Sequence, residues 1–467
     1  MLRNSQIFGR NVQRALTFLS DQPVFVIHKN NFTDIQRNLT ENLDANNNEE
    51  PEKFTVYVHW PFCRQLCTFC NFNKYVRENV NHARMKDCLV TELKTLVKLS
   101  GATKIKSVYF GGGTPSLAEP STISAILDTV SHLCQLDQDA EVSLEANPSS
   151  SENSNLRSFK AAGINRLSLG LQAIMSSGIK PESIQSLSSK DLALLRRDHT
   201  AEESLRCLEI AKELFPGRVS IDLLFGRPGQ SVNGWEKELQ QVLVHSDRHV
   251  SLYQLTLEAG TPLYQSVKAG HLSLPDIDTM ADLYHKAVQV LEGEGFHRYE
   301  VSNFAKHGSE SRHNLSYWTG GAYLGVGPGA HGRFPLESNG TKTRFARIQT
   351  LEPNSWMAEV ENFGHGTRQS IPQSTSEVLE EILVSGLRTK NGVTNKTWSK
   401  FAGKDIGNLR DIFSSCQEAE EFIDAGLLEL DDRGVRASAA GLSVIDGIIP
   451  HLALHLEHYL IWLVKQC

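Results

Sequence analysis

The chain lacks a basic block. Lysine and arginine together number 47 against 54 aspartates and glutamates, for a formal net charge of −7. With no cation cluster to track a phosphate backbone, a nucleic-acid role has no electrostatic support. An apolar run of bilayer length is also missing. The longest late stretch, IIPHLALHLEHYLIWLV from Ile448, is broken by His451, His455, Glu457 and His458, which makes it a packed helix rather than an integral membrane segment. Cysteine is scarce: 8 in 467 residues cannot form a disulfide scaffold. Three of them, Cys63, Cys67 and Cys70, sit in one short run, which points to metal ligation in a reducing compartment. The others, Cys88, Cys134, Cys207, Cys416 and Cys467, are scattered and read as buried or tail thiols.

Acidic residues are absent from the first twenty positions, MLRNSQIFGRNVQRALTFLS. Arg3, Arg10 and Arg14 share one helical face there, while Phe8, Val12, Ala15 and Leu19 recur at helical spacing on another. That is the pattern of a mitochondrial transit peptide, the plain alternative being a surface helix. TENLDANNNEEPE, from Thr40, has linker composition. Residues 1–50 are therefore expected to be presequence and linker, and the protein is expected in the mitochondrion.

What is present, from residue 54 on, is alternation of β-rich and helical patterns. Strands are predicted at Thr55–His59, Ser107–Phe110, Glu141–Glu145, Arg166–Gly170, Val219–Phe225 and Ser251–Thr256, with amphipathic segments such as STISAILDTVSHLCQL and TAEESLRCLEIAKELF between them. Such repetition predicts an α/β fold with a parallel sheet, either a barrel, complete or partial, or a doubly wound sheet. Ligands of such folds sit beyond the carboxyl ends of the strands. Here those ends carry the cysteines, GGGTPS, EANPS and GLQ, and Asp222 lies within the fifth strand. Residues 173–186, AIMSSGIKPESIQS, read as a loop insertion after the fourth strand.

Barrel pattern is expected over 51–275. Helices and irregular glycine-rich stretches are expected over 276–375, as an extension of the barrel that includes HNLSYW. A separate C-terminal unit over 376–467 combines helices at VLEEILVSGLR and EAEEFIDAG with a hairpin in LLELDDRGVRAS, a small winged-helix-like arrangement.

The C-x₃-C-x₂-C run leaves two readings of the residues open. Zinc would need a fourth ligand, with His59 nearby. Alternatively, three thiolates hold three irons of a [4Fe–4S] cubane and leave the fourth open to an exchangeable small molecule. CRQLCTFC, with an aromatic before its third cysteine, resembles the signature of the radical S-adenosylmethionine (SAM) superfamily. YVHWPFC, GGGTPS, LEANPS, INRLSLGLQ, SIDLLFGRPGQ, SLYQLTLEAGTPL, YEVSNFA, HNLSYW and GVGPGAHG are similar to the oxygen-independent coproporphyrinogen oxidase family, from about Phe54 into the C-terminal domain. That resemblance implies a partial parallel β/α barrel. Cys63, Cys67 and Cys70 would carry the [4Fe–4S] cluster, and SAM would lie on its open iron. Tyr57 and Phe69 would line the SAM site, Gly112, Gly113 and Thr114 would meet its methionine amine, and Glu145 and Asp222 would complete the pocket. The family glutamine corresponds to Gln172 or, beyond the insertion, Gln185, with Gln172 preferred because it continues the strand. The family arginine corresponds to Arg197.

Members of that family with oxidase activity carry another cysteine two positions after the third. This chain has Cys70–Asn71–Phe72 instead, and phenylalanine cannot replace a thiol. CNFNKY resembles the heme-chaperone branch, whose members are implied to bind heme and pass it to apo-hemoproteins of the respiratory chain without coproporphyrinogen oxidase activity. On that resemblance His313, in HN-x-x-YW, is the candidate heme ligand, with His331 a weaker one; from chemistry alone a histidine beside aromatics is more often structural. The alternative is a radical SAM oxidoreductase acting on coproporphyrinogen III or a related tetrapyrrole. Whether the chain is a monomer or a homodimer stays open.

Overall fold

A computed structural model describes residues 52–149, 155–172, 194–196, 200–338, 341–403 and 405–466. The presequence and linker expected over 1–50, the insertion at 173–186 and Arg197 lie outside them.

Seventeen strands follow in chain order among the described residues. They are β1 (Lys53–Trp60), β2 (Phe62–Cys63), β3 (Tyr75–Val76), β4 (Lys104–Gly112), β5 (Gln135–Ala146), β6 (Arg166–Gln172), β7 (Val219–Phe225), β8 (His249–Gln254), β9 (His297–Glu300), β10 (Asn303–Ala305), β11 (Tyr323–Val326), β12 (His331–Ser338), β13 (Thr341–Gln349), β14 (Thr367–Pro372), β15 (Val393–Thr394), β16 (Leu428–Asp431) and β17 (Gly434–Ala437). Twelve form one sheet in the order β14-β13-β12-β11-β1-β4-β5-β6-β7-β8-β10-β9. The run from β11 through β8 is parallel, so the six predicted strands form the centre of a partial, open β/α barrel. The last of them spans His249–Gln254 rather than reaching Thr256.

The central strands alternate over most of their length. Val56, Val58, Val108, Phe110, Val142, Leu144, Leu167, Leu169, Ile221, Leu223, Val250 and Leu252 are buried in one core with the covering helices. Burying a side chain of this kind contributes about 1.5–3 kcal/mol. The opposite face carries Tyr57, His59, Ser107, Tyr109, Glu141, Ser143, Glu145, Arg166, Ser168, Ser220, Asp222, His249 and Ser251. Because side chains alternate across a strand, this second set lines the barrel interior, which is largely polar, with Leu224 an apolar exception near the mouth.

Helices His82–Ser100 and Pro120–Leu133 follow β1 and β4. The second ends at Leu133 because Gln135–Leu136 already pair with β4, which corrects the longer amphipathic segment read from the sequence. Thr200 opens helix Ala201–Leu214 with a capping box to Glu203.

The stretch 276–375 is corrected more substantially. It contributes β9 to β14, half of the large sheet, in addition to the helices Ile277–Gly293, Arg312–Trp318 and Pro353–Phe363. Strand β11 adds in parallel beside β1, and β12, β13 and β14 continue antiparallel beyond it. The C-terminal unit packs helices Thr375–Leu387, Gln417–Asp424 and Ile445–Gln466 and others with the small sheet β15-β17-β16 around its own core. Arg298, whose guanidinium donates to Ser443 Oγ at 2.9 Å and Ala439 O at 2.6 Å, fastens this unit to the barrel. No described helix is long and apolar enough to cross a membrane.

Candidate functional site

The cysteine loop leaves the carboxyl end of β1 and folds back on the barrel mouth. Its β2 and β3 pair through Phe62 and Tyr75, and Gln65, Thr68 and Leu263 tie it to the segment 194–196 and the helix Pro262–Lys268. Cys63 is buried, while Cys67 and Cys70 are half-buried. Thr114 Oγ1 donates to Cys63 Sγ at 3.4 Å, and burial pushes that thiol up to about 11, so ionising it calls for a cation beside it. Among the described residues no three His, Cys, Asp or Glu side chains converge on a single ion. A cubane, with its irons at separate corners, takes its thiolates from farther apart than one ion does. His59 is no spare ligand, since its Nε2 donates to Asn73 O at 2.9 Å and its Nδ1 accepts from Tyr57 at 3.0 Å. Burial lowers it to about 4, so the ring is neutral.

Strand β4 ends in the glycine turn that fits under this loop. Gly113 N donates to Trp60 O at 2.7 Å and Thr114 N to Phe62 O at 3.0 Å. A Cβ on Gly113 would come within 2.8 Å of the Pro61 carbonyl carbon, and one on Gly112, where φ is +112°, within 2.5 Å of the His59 ring. Only glycine tolerates that backbone and that approach. With these amides occupied, the carbonyls of Gly112 and Gly113 are the groups suited to an ammonium.

Glu145, at the end of β5, accepts from Tyr109 OH at 2.8 Å and from Gly112 N at 3.1 Å. Desolvation raises its carboxyl to about 7, and the nearby charge of Asp222 pushes the same way. Asp222, on β7, accepts from Ser168 Oγ at 3.0 Å. Buried Ser143 Oγ, on the same polar face, has no hydrogen-bond partner among the described residues. Two carboxylates and an orphaned hydroxyl thus suit a cationic amino acid such as SAM. Phe69 packs with Leu195, Leu224 and Leu263 beside the loop. Gln172 is the last residue of β6.

His313 lies elsewhere. The helix Arg312–Trp318 crosses the floor of the barrel, away from the mouth, and Glu141 holds its first turn by accepting from Ser311 Oγ, Arg312 N and His313 N. The His313 ring is 1% exposed, paired to Ser107 Oγ at 2.8 Å through Nδ1 and to Tyr317 OH at 2.7 Å through Nε2. Burial takes it down to about 3, so it is neutral. To bind iron, one ring nitrogen must first release its partner. His313 also stacks on Tyr109 with ring centroids 4.9 Å apart, and Tyr109 stacks on Tyr57 at 6.2 Å, so a column of rings joins floor to mouth. His331 begins β12, at the barrel's other flank.

Sequence reading missed Ser107, Tyr109, Ser143, Ser168 and His249, although TVYVHW, EVSLEA and RLSLG alternate, as does SIDL at the start of SIDLLF. A parallel strand covered on both faces by apolar groups reads as a continuous hydrophobic run, so the alternation in these strands was the available signal for a polar interior. The hairpin β12–β13 carried a signal too, the Asn339–Gly340 pair between its strands.

With this geometry in place, known proteins give the context. The Radical SAM superfamily pattern matches residues 57–242 and the HemN C-terminal domain pattern residues 373–444. The chain is 49% identical over 402 residues to radical S-adenosyl methionine domain-containing protein 1, mitochondrial, of Mus musculus, covering 86% of this chain and 88% of that one. It is 30% identical over 356 residues to heme chaperone HemW of Bacillus subtilis, covering 76% and 88% respectively. The solved structure of coproporphyrinogen III oxidase (HemN) from Escherichia coli, described as a radical SAM enzyme, superposes with a TM-score of 0.68 at 20% identity, over 86% of this chain and 90% of that one. That likeness supports the fold.

Proposed function

Because the chain belongs to the radical SAM superfamily and, within it, to the mitochondrial family named radical S-adenosyl methionine domain-containing protein 1, we propose that it is a heme-binding chaperone that delivers heme to apo-hemoproteins of the respiratory chain. Membership brings a mitochondrial location, and the superfamily implies SAM and a [4Fe–4S] cluster; heme is this reading's addition. Cys63, Cys67 and Cys70 would hold the cluster, which on binding SAM supplies one-electron chemistry. Tyr57, Phe69, Gly112, Gly113, Thr114, Glu145, Gln172, Arg197 and Asp222 would hold SAM. The residues themselves do the orienting: the glycine turn carries carbonyls to the mouth, Tyr109 and Gly112 fix Glu145, and Ser168 fixes Asp222.

Phe72 carries the choice of chaperone over oxidase. Its ring is 50% exposed at the position where the oxidases of the family have a thiol, so this loop offers neither a fourth sulfur nor a packed substitute for one. The test is anaerobic reconstitution followed by three measurements on the same sample: iron content, heme transfer to an apocytochrome, and decarboxylation of coproporphyrinogen III with SAM and reductant. Heme transfer without vinyl-group formation is expected. Vinyl-group formation would overturn the chaperone reading in favour of a tetrapyrrole oxidoreductase. Alanine at Cys63, Cys67 or Cys70 should abolish iron binding, whereas Cys88→Ala, on the buried face of helix His82–Ser100, should leave it unchanged.

A further inference from the structure

The floor of the barrel gathers positive charge in an otherwise acidic chain. Strands β1 and β4 start side by side there, with Lys53 opposite Lys104. Lys106 is skipped by the ladders on both sides of β4: Phe54 and Thr55 pair with Ile105 and Ser107, and so do Leu136 and Glu141. Such a bulge re-aims a side chain. The one re-aimed here is a half-buried lysine adjoining Ser107, whose hydroxyl pairs with His313 at 2.8 Å.

The C-terminal unit adds to this cluster from outside the barrel. Its helix Asn395–Ala402 carries Phe401 and the exposed Lys400. Phe401 packs on Gly320, just past the His313 helix, where a Cβ would come within 3.2 Å of its ring. Burial lowers the Lys106 ammonium, and the charges of Lys53 and Lys400 push the same way. Against them stand Glu52 and Asp137, the latter already paired to Lys53 at 3.4 Å. Arg312 is taken by Asp139 and Arg344 by Glu381. Lys104, Lys106 and Lys400 form no ion pair among the described residues. On the interior face, Thr55 lies opposite Ser107, fully buried and with no partner for its hydroxyl among the described residues.

We propose that Lys106 and Lys400, with Lys104 beside them, hold the two propionate carboxylates of a heme whose iron is taken by His313. The inference rests on the heme reading above and adds which part of the cargo the floor recognises. Heme is an apolar ring with two carboxylates on one edge. The rings of Tyr109, Tyr317 and Tyr323 around His313 suit the macrocycle, and unpaired ammonium groups suit the carboxylates, because hydrogen bonds between ionised partners are the stronger kind. Holding that edge fixes which way round the cargo enters.

Ferric heme and its dimethyl ester are titrated into the full chain at low and high salt, with the Soret band as the readout. The ester keeps the iron and the ring and loses both charges. Wild type should bind heme about tenfold or more tightly than the ester at low salt, and added salt should narrow that gap. Lys106→Met/Lys400→Met should bring heme to the affinity of the ester, whereas Lys106→Arg/Lys400→Arg should keep the preference. Equal binding of heme and ester by wild type overturns the proposal, as does a wild-type preference that survives in the methionine variant. The wild-type comparison needs no variant, so a methionine variant that fails to fold leaves the test standing. A wild-type chain that shifts the Soret band of neither ligand fails the functional reading, whereas one that binds both alike fails only the assignment of the lysines.

Discussion

Tyr109 donates its hydroxyl to Glu145 across 2.8 Å while its ring stacks on His313, so a single side chain touches both the carboxylate at the barrel mouth and the histidine of the floor helix. Glu145 titrates near 7, raised from 4.5 mainly by desolvation. Without ligand it is therefore largely protonated below that pH, and a cation binding beside it must displace the proton. SAM affinity should fall as pH drops below about 7, approaching tenfold per unit. Equilibrium dialysis at pH 6 and 8 checks this, and Glu145→Gln should flatten the profile.

Tyr109→Phe provides a finer test. Removing the hydroxyl takes away a donor that favours the ionised carboxylate, so the midpoint of the same SAM profile should move to higher pH while the fold and iron content are retained. An unmoved midpoint would mean that the hydroxyl does not set the charge of Glu145.

Much of this mouth was legible in the sequence. The cysteine spacing, GGGTP and Glu145 fall at the ends of strands that alternate with helices, with Asp222 inside β7, and a parallel sheet brings such ends together. The floor was not legible. Ser107 and Glu141 meet the His313 helix across more than 170 residues of chain, a pairing that depends on where the helix crosses the barrel. Strands β9 to β14 escaped notice for another reason: several are short, and β11 is a four-residue strand, YLGV, inside a glycine-rich stretch, where local pattern carries little information.

Heme binding should respond to the pair of hydrogen bonds on the His313 ring. If this imidazole is the iron ligand, His313→Ala should lose the Soret shift on heme titration. Ser107→Ala, which frees Nδ1 by deleting one hydrogen bond worth roughly 1 kcal/mol, should bind heme about fivefold more tightly. Unchanged titrations in both variants would remove the ring from the heme site.

Glu92 anchors a different region. Fully buried on helix His82–Ser100, it accepts from Gly327 N and Gly366 N, each at 2.8 Å, and from Trp356 Nε1 at 3.1 Å. It thereby joins the end of β11 to the start of β14. Glu92→Leu would orphan three buried donors at roughly 1–3 kcal/mol apiece. A loss above about 3 kcal/mol is expected in denaturant unfolding, with the midpoint shifted accordingly.

The alternation of the six central strands separates two kinds of inheritance. Residues facing the helices answer to packing, while residues facing the interior answer to one another, as Ser168 does in holding Asp222, and to whatever occupies the barrel. The interior positions not engaged in such pairs, Ser143 among them, can therefore change with little effect on the packed face, so one scaffold can present different polar linings without first learning to fold anew.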